Sequence, residues 1–160
     1  MNSLNGCVVA NPVMYEEHLH LYKSLKKFKV KYLVAGGVAA AVYGLPRVTF
    51  DLDVWIRPDK ENAQRLLDAM TDAGMGTASM TDAEKVLANE ISVFQDRIRL
   101  DIFTFFKGVE FDVCWKRRFV RKLDGIPVFF IALDDLLAIK TAYGRPVDKA
   151  DVEFFRKNRE

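Results

Sequence analysis

The chain has 160 residues, half of them hydrophobic and 29% charged, with a formal net charge of +2. That length supports one domain with a real core, and the composition excludes a disordered chain. The near-balanced charge excludes a strong overall field for nucleic acid, though it leaves room for a local basic patch.

Residues 1–14 carry Asn, Gly and Pro and read as an irregular arm. No charged start followed by a long apolar stretch occurs there, and no apolar run approaches the roughly 20 residues of a membrane span, so a cytoplasmic protein is the default expectation. Tyr15 to Lys27 places Leu19, Tyr22, Leu25 and then Phe28 at three-residue spacing, which predicts a helix. His18 and His20 on it are two apart, do not share a face and read as solvated. Val30 to Ala35 is a short β-rich run broken by Gly36 and Gly37. Val38 to Tyr43 is a small-residue helix closed by Gly44 and Pro46. Phe50 to Ile56 is a second strand, stopped by Pro58. Lys60 to Asp72 is a helix with Ala63, Leu66, Leu67 and Met70 on one stripe.

Thr81 and Glu84 stand at capping-box spacing before a short helix reaching Leu87. Ile91 to Gln95 and Arg97 to Phe105 read as strands, with Arg97, Arg99, Asp101 and Phe103 on one face of the second. Gly108 marks a turn into Glu110–Trp115. A basic stretch, a Gly-Pro turn and another strand follow. Asp134 is the N-cap candidate of a helix from Asp135 to Tyr143. A last helix turns Ala150, Val152, Phe154 and Phe155 inward, with Arg145 and Asp148 able to pair across its start. The expectation is a single α/β (α+β) domain over residues 1–160, with a mixed sheet of about five strands flanked by helices.

The chemistry concentrates in "GGVAAAVYGLPRVTFDLDVW", residues 36–55. Asp51 and Asp53 lie at i and i+2 in a strand, on one face and roughly 7 Å apart at Cα. Like charges so placed repel and raise each other's pKa unless a cation lies between them, and a hard divalent ion such as Mg²⁺ takes carboxylate oxygens. The competing reading is an edge strand with both aspartates in water. Gly36-Gly37, between a strand and a helix, lets backbone approach a phosphate, or else serves a tight turn with close packing. Asp101, flanked by apolar residues in "IRLDIF", is the candidate third carboxylate, with Asp112 in "EFDVCW" as its competitor.

Other motifs are weaker. GxxxxGK[ST] is absent, and Val38 and Ala41 stand where a dinucleotide-binding turn needs glycine. Cys7 and Cys114 form no metal-ligand spacing and read as buried or idle thiols. "KRRFVRK", residues 116–122, fits either a polyanion guide or a solvated strand or loop face. Phe103, Phe105, Phe106, Phe111 and Trp115 fit base stacking, or core or a dimer interface.

Taken together, "AGGVAAAVYGLPRVTFDLDV" resembles the signature of the nucleotidyltransferase superfamily related to DNA polymerase beta: Gly-Gly or Gly-Ser, a short helix, Asp-x-Asp and a later third Asp. "ALDDLLAIKTAYGRPVDKADV" resembles the closing segment of the minimal nucleotidyltransferases and the AbiEii toxin-like branch. The likeness runs from about residue 29 to residue 155. It implies a nucleotidyltransferase fold and NMP transfer from an NTP to a hydroxyl. It implies two Mg²⁺ ions, with Mn²⁺ as a substitute, held by Asp51, Asp53 and Asp101, the last also drawing the acceptor's proton. Gly36, Gly37 and Lys140 would meet the triphosphate; Arg47 and Thr49 would support it or contact the acceptor. The acceptor is open between RNA such as tRNA, a protein hydroxyl in a toxin–antitoxin pair, and a small molecule. A homo-oligomer or a small helical partner protein fits equally. The rival expectation is a non-catalytic nucleotide-binding or antitoxin module on the same fold.

Overall fold

The computed structural model describes residues 16–47 and 49–159. The expected N-terminal arm and Cys7 lie outside them. In chain order the elements are α1 (Glu16–Lys27), β1 (Tyr32–Ala35), α2 (Gly36–Val42), β2 (Leu52–Ile56), α3 (Lys60–Asp72), a 3₁₀ turn (Gly76–Met80), α4 (Ala83–Ala88), β3 (Ile91–Gln95), β4 (Arg99–Phe103), α5 (Phe111–Lys116), β5 (Phe119–Leu123), β6 (Ile126–Phe130), α6 (Leu133–Tyr143) and α7 (Pro146–Lys157).

One mixed sheet takes the described strands in the order β3-β4-β2-β1-β6-β5. It has six strands where the sequence suggested about five. The extra one is β5, the basic segment, which pairs antiparallel with β6 across the Asp124-Gly125 turn. Two parallel pairings, β1 with β6 and β2 with β4, sit between antiparallel ones. The parallel β2–β4 pairing decides the site. Its register sets Asp53 opposite Asp101, while Ala35 at the end of β1 lies opposite Asp53 from the other side.

Leu52, Val54 and Ile56 on one face of β2 are fully buried. On the opposite face, next to Asp53, Trp55 is roofed edge-on by Phe106 and Phe111 at 5.2 Å each. Those aromatics are therefore core, while Phe105 stays 48% exposed. α1 packs on α3 and β6. Asp72 ties α1 to α3 by accepting from Ser24 at 2.9 Å and Lys27 at 3.0 Å. Buried Asn62 bonds both the N–H and the C=O of Lys31, which satisfies the backbone entering β1.

Several local expectations change. His18 is buried, its Nε2 3.3 Å from the Phe50 carbonyl, because it falls on the inner stripe of α1 with Leu21, Tyr22 and Leu25; His20 is exposed. Asp82, not Thr81, caps α4 by accepting from the Lys85 N–H. Asp134 lies inside the first turn of α6, whose N-cap is Ala132. Ala150 faces solvent, and α7 instead buries Asp148, Asp151 and Phe155. "KRRFVRK" becomes the turn into an edge strand. Arg117 bonds Asp135 at 2.7 Å, and Arg118 lies 4.0 Å over Trp115.

Candidate active site

A cleft of about 360 Å³ opens at the ends of β1, β2 and β4, lined among others by Gly36, Asp53, Asp101, Lys140, Arg145 and Asp148. A smaller recess on the same side adds Gly37, Arg47, Thr49 and Asp151.

Gly36 opens α2 at a φ of +60°, and a Cβ built there would stand 1.9 Å from Asp53 Oδ2. A side chain at position 36 is thus barred twice, by backbone conformation and by the carboxylate that occupies the space. Gly37 is tight for another reason: its Cβ would meet the Thr49 methyl at 3.0 Å. Thr49 consequently reads as packing against the helix start. α2 has only seven residues and no side-chain cap, so the charge for holding an anion comes from elsewhere.

It comes from α6, α7 and the segment before β2. Lys140, nearly buried on α6, donates to Asp151 Oδ2 at 3.0 Å and lies 3.9 Å from Asp148 Oδ1. Arg47 bonds the other oxygen of Asp151. Arg145 bonds both oxygens of Asp148, at 2.7 and 3.0 Å. Three cations therefore alternate with two buried carboxylates, leaving a positive surplus. Burial alone would raise Asp148, but the Arg145 side chain and N–H hold it below the usual carboxylate range.

The other wall is acidic. Asp53 is pushed up to about 7, first by burial, then by Asp101 and Asp51, against the opposing pull of Arg99 and Lys140. Arg99, two residues from Asp101 on the same face of β4, donates Nε to Asp101 Oδ1 at 3.1 Å. Asp51 precedes β2 rather than lying in it, is exposed, and borders a neighbouring depression with Phe50 and Arg99. The geometry thus joins Asp53 and Asp101 in one cleft and leaves Asp51 at its margin. Asp112, the competitor for third carboxylate, points away to an ion pair with Arg57 at 2.9 Å.

Among the described residues, no three His, Cys, Asp or Glu side chains are grouped closely enough to enclose a metal ion. The donors nevertheless suit Mg²⁺. They are carboxylate oxygens, two of them paired across parallel strands, with a glycine held clear for one of them, and Mg²⁺ commonly takes one or two carboxylates plus water and substrate phosphate.

Of the candidate residues, Gly36, Gly37, Arg47, Thr49, Asp53, Asp101 and Lys140 converge on this cleft and its recess. Sequence reasoning passed over Arg99 and Asp151 as site residues and took Arg145 and Asp148 only as a pair across the start of α7. The i,i+2 spacing of Arg99 and Asp101 was available as a signal; the burial of α7's acids was not. Cys114 is buried, its thiol pushed up to about 12 by burial and then by Asp135, which makes it unreactive.

No protein-family model matches the chain, and a search of curated proteins finds no relative. Among solved structures it is similar to a Thermotoga maritima protein provisionally named a nucleotidyltransferase. The two share 19% sequence identity and a TM-score of 0.50, over 88% of this chain and 89% of the other. The fold is nucleotidyltransferase-like. At that identity the likeness speaks for the architecture alone. Among the described residues, no helix is long and apolar enough to cross a membrane.

Proposed function

We propose that this chain is a Mg²⁺-dependent nucleotidyltransferase, moving NMP from an NTP to a hydroxyl. The observation that carries the reading is the register of Asp53 on Asp101, facing Lys140 and Arg145 across one cleft. A cleft with carboxylates on one wall and surplus cations on the other matches the two charges of a metal–triphosphate.

In this reading Asp53 and Asp101 hold the metal, with Asp51 reached from the margin. Bound there, Mg²⁺ would neutralise charge on the phosphates and ease deprotonation of the acceptor hydroxyl. Lys140, Arg145 and Arg47 bind the triphosphate oxygens, and Asp148 and Asp151 keep those cations aimed at the cleft. Gly36 leaves room for Asp53 to turn toward the substrate. Asp101 takes the proton from the acceptor oxygen. Phe103, Phe105, Phe106 and Tyr143 form the apolar end of the cleft, where a flat base or part of the acceptor would lie. Catalysis rests on positioning and electrostatics, as expected for phosphoryl chemistry.

The acceptor class stays within RNA, a protein hydroxyl or a small molecule. The toxin-like branch is carried by the Lys140–Gly144-Arg145–Asp148 segment of the sequence. Incubation with labelled NTPs, Mg²⁺ and candidate acceptors tests the reading: label should transfer with the wild type and not with Asp53→Asn or Asp101→Asn. Tight NTP binding with no turnover on any acceptor would favour the non-catalytic rival.

A further inference from the structure

The acidic wall has an unusual composition. β2 and β4 run parallel with Leu52 opposite Leu100 and Asp53 opposite Asp101, so the position before Leu52 falls beside the position before Leu100. Those residues are Asp51 and Arg99. Arg99 thus stands between the Asp53–Asp101 pair in the cleft and Asp51 at its margin. The guanidinium interacts with all three: it bonds Asp101 directly, and Asp51 and Asp53 both favour its charge. Asp101 is only 16% exposed, whereas Arg99 is 42% exposed and reaches it from the rim.

That arrangement offsets part of the repulsion among the acids. It also sets a conflict. Arg99 uses Asp101 Oδ1, an oxygen that a cation in the cleft would claim, and a divalent ion beside a guanidinium is repelled by it. We infer that Arg99 is a positioning residue that serves as the resident counter-ion of Asp101, so that divalent-cation binding requires it to let go. The inference rests on the reading of Asp53 and Asp101 as metal ligands. Arg99 thereby lowers metal affinity in the nucleotide-free protein. It then has donors free for an anionic group, and a nucleotide that accepts them makes metal and triphosphate bind cooperatively.

The opposite role for Arg99 is a strut that orders Asp101 for the metal, and the two roles differ in sign. Mn²⁺ binding is measured by electron paramagnetic resonance on wild type, Arg99→Met and Arg99→Lys, without nucleotide and then with a non-hydrolysable NTP. Far-UV circular dichroism and urea midpoints check that the variants are folded, as the exposure of Arg99 predicts. Arg99→Met should bind Mn²⁺ roughly tenfold more tightly than wild type. Arg99→Lys, which keeps the charge, should stay near wild type. The nucleotide-induced gain in Mn²⁺ affinity should shrink in Arg99→Met. Equal or weaker Mn²⁺ binding by Arg99→Met overturns the counter-ion role while leaving the metal site standing. Absence of Mn²⁺ binding in all three proteins overturns both.

Discussion

Five aspartates lie in or beside the cleft and its recess, and they live in two different electrostatic regimes. Asp148 and Asp151 on α7 are almost completely buried, yet three cations share the two of them. Asp53 and Asp101 on the sheet, with Asp51 just before β2, are less buried as a group, yet have one guanidinium in contact, on Asp101. Burial works against a charge on both walls. Asp53 is pushed far up, first by burial and then by Asp101 and Asp51, while on Asp148 the Arg145 side chain and N–H outweigh burial and hold it down. Counter-charge set against burial separates an acid that braces structure from an acid poised for a ligand.

The largest test of that contrast is Asp53→Asn, which should reduce nucleotidyl transfer by roughly 10³-fold by removing a charge for which Mg²⁺ and the glycine space are arranged. Its stability should move the other way. In metal-free protein burial and the neighbouring acids push Asp53 up to about 7, well above the ordinary carboxylate range. The folded state therefore keeps a proton that the unfolded chain gives up near pH 4. The stabilisation from that proton is full below about pH 4 and is lost as pH rises to about 7. Urea titrations in EDTA should show wild-type stability falling across that window relative to Asp53→Asn. If the two curves run parallel, the acidic wall is not under-compensated.

On the helix side, Lys140→Met should cost about 3 kcal/mol, since it strips a nearly buried cation from Asp151 and Asp148. Denaturant midpoints would show it, and a loss near zero would mean that Arg47 and Arg145 suffice.

A glycine comparison gives a smaller, sharper reading. Gly36→Ala should cost more than about 1 kcal/mol and abolish activity by turning Asp53 aside, whereas Gly44→Ala, with φ at +108° and open space around it, carries backbone strain alone and should keep activity. Similar activities for the two variants would remove the special status of Gly36. The smallest effect belongs to Asp112→Asn. Its pair with Arg57 is exposed and screened by solvent, so the urea midpoint and the transfer rate should both be unchanged.

Much of this was legible from residue order. The helix over residues 60–72 and the strand over 91–95 match their expected bounds because periodicity and flanking breakers agree there. The glycine pair, Asp53 and Asp101 were readable because a carboxylate in an apolar strand is costly and demands a reason. β5 stayed open between a strand and a loop because nearly all of it is exposed, so no alternation marks it. His18 was misplaced because a polar residue on an inner stripe carries no hydrophobic signal. α7 misled in the same way: aspartates occupy the positions where apolar residues would announce an inward face.

By itself, then, the sequence determined the segments, the breaks between them and which acids were worth asking about, since those depend on neighbours a few residues away. Tertiary structure alone decided which acids meet. Asp53 and Asp101 are joined by a parallel strand register that no local pattern encodes. Asp51 and Asp112 are left outside by where the chain enters β2 and by the pull of Arg57. The reach of Arg99 toward Asp53 and Asp51, and Lys140 between Asp148 and Asp151, are products of packing between elements, because the energy of a charge is set by every element around it.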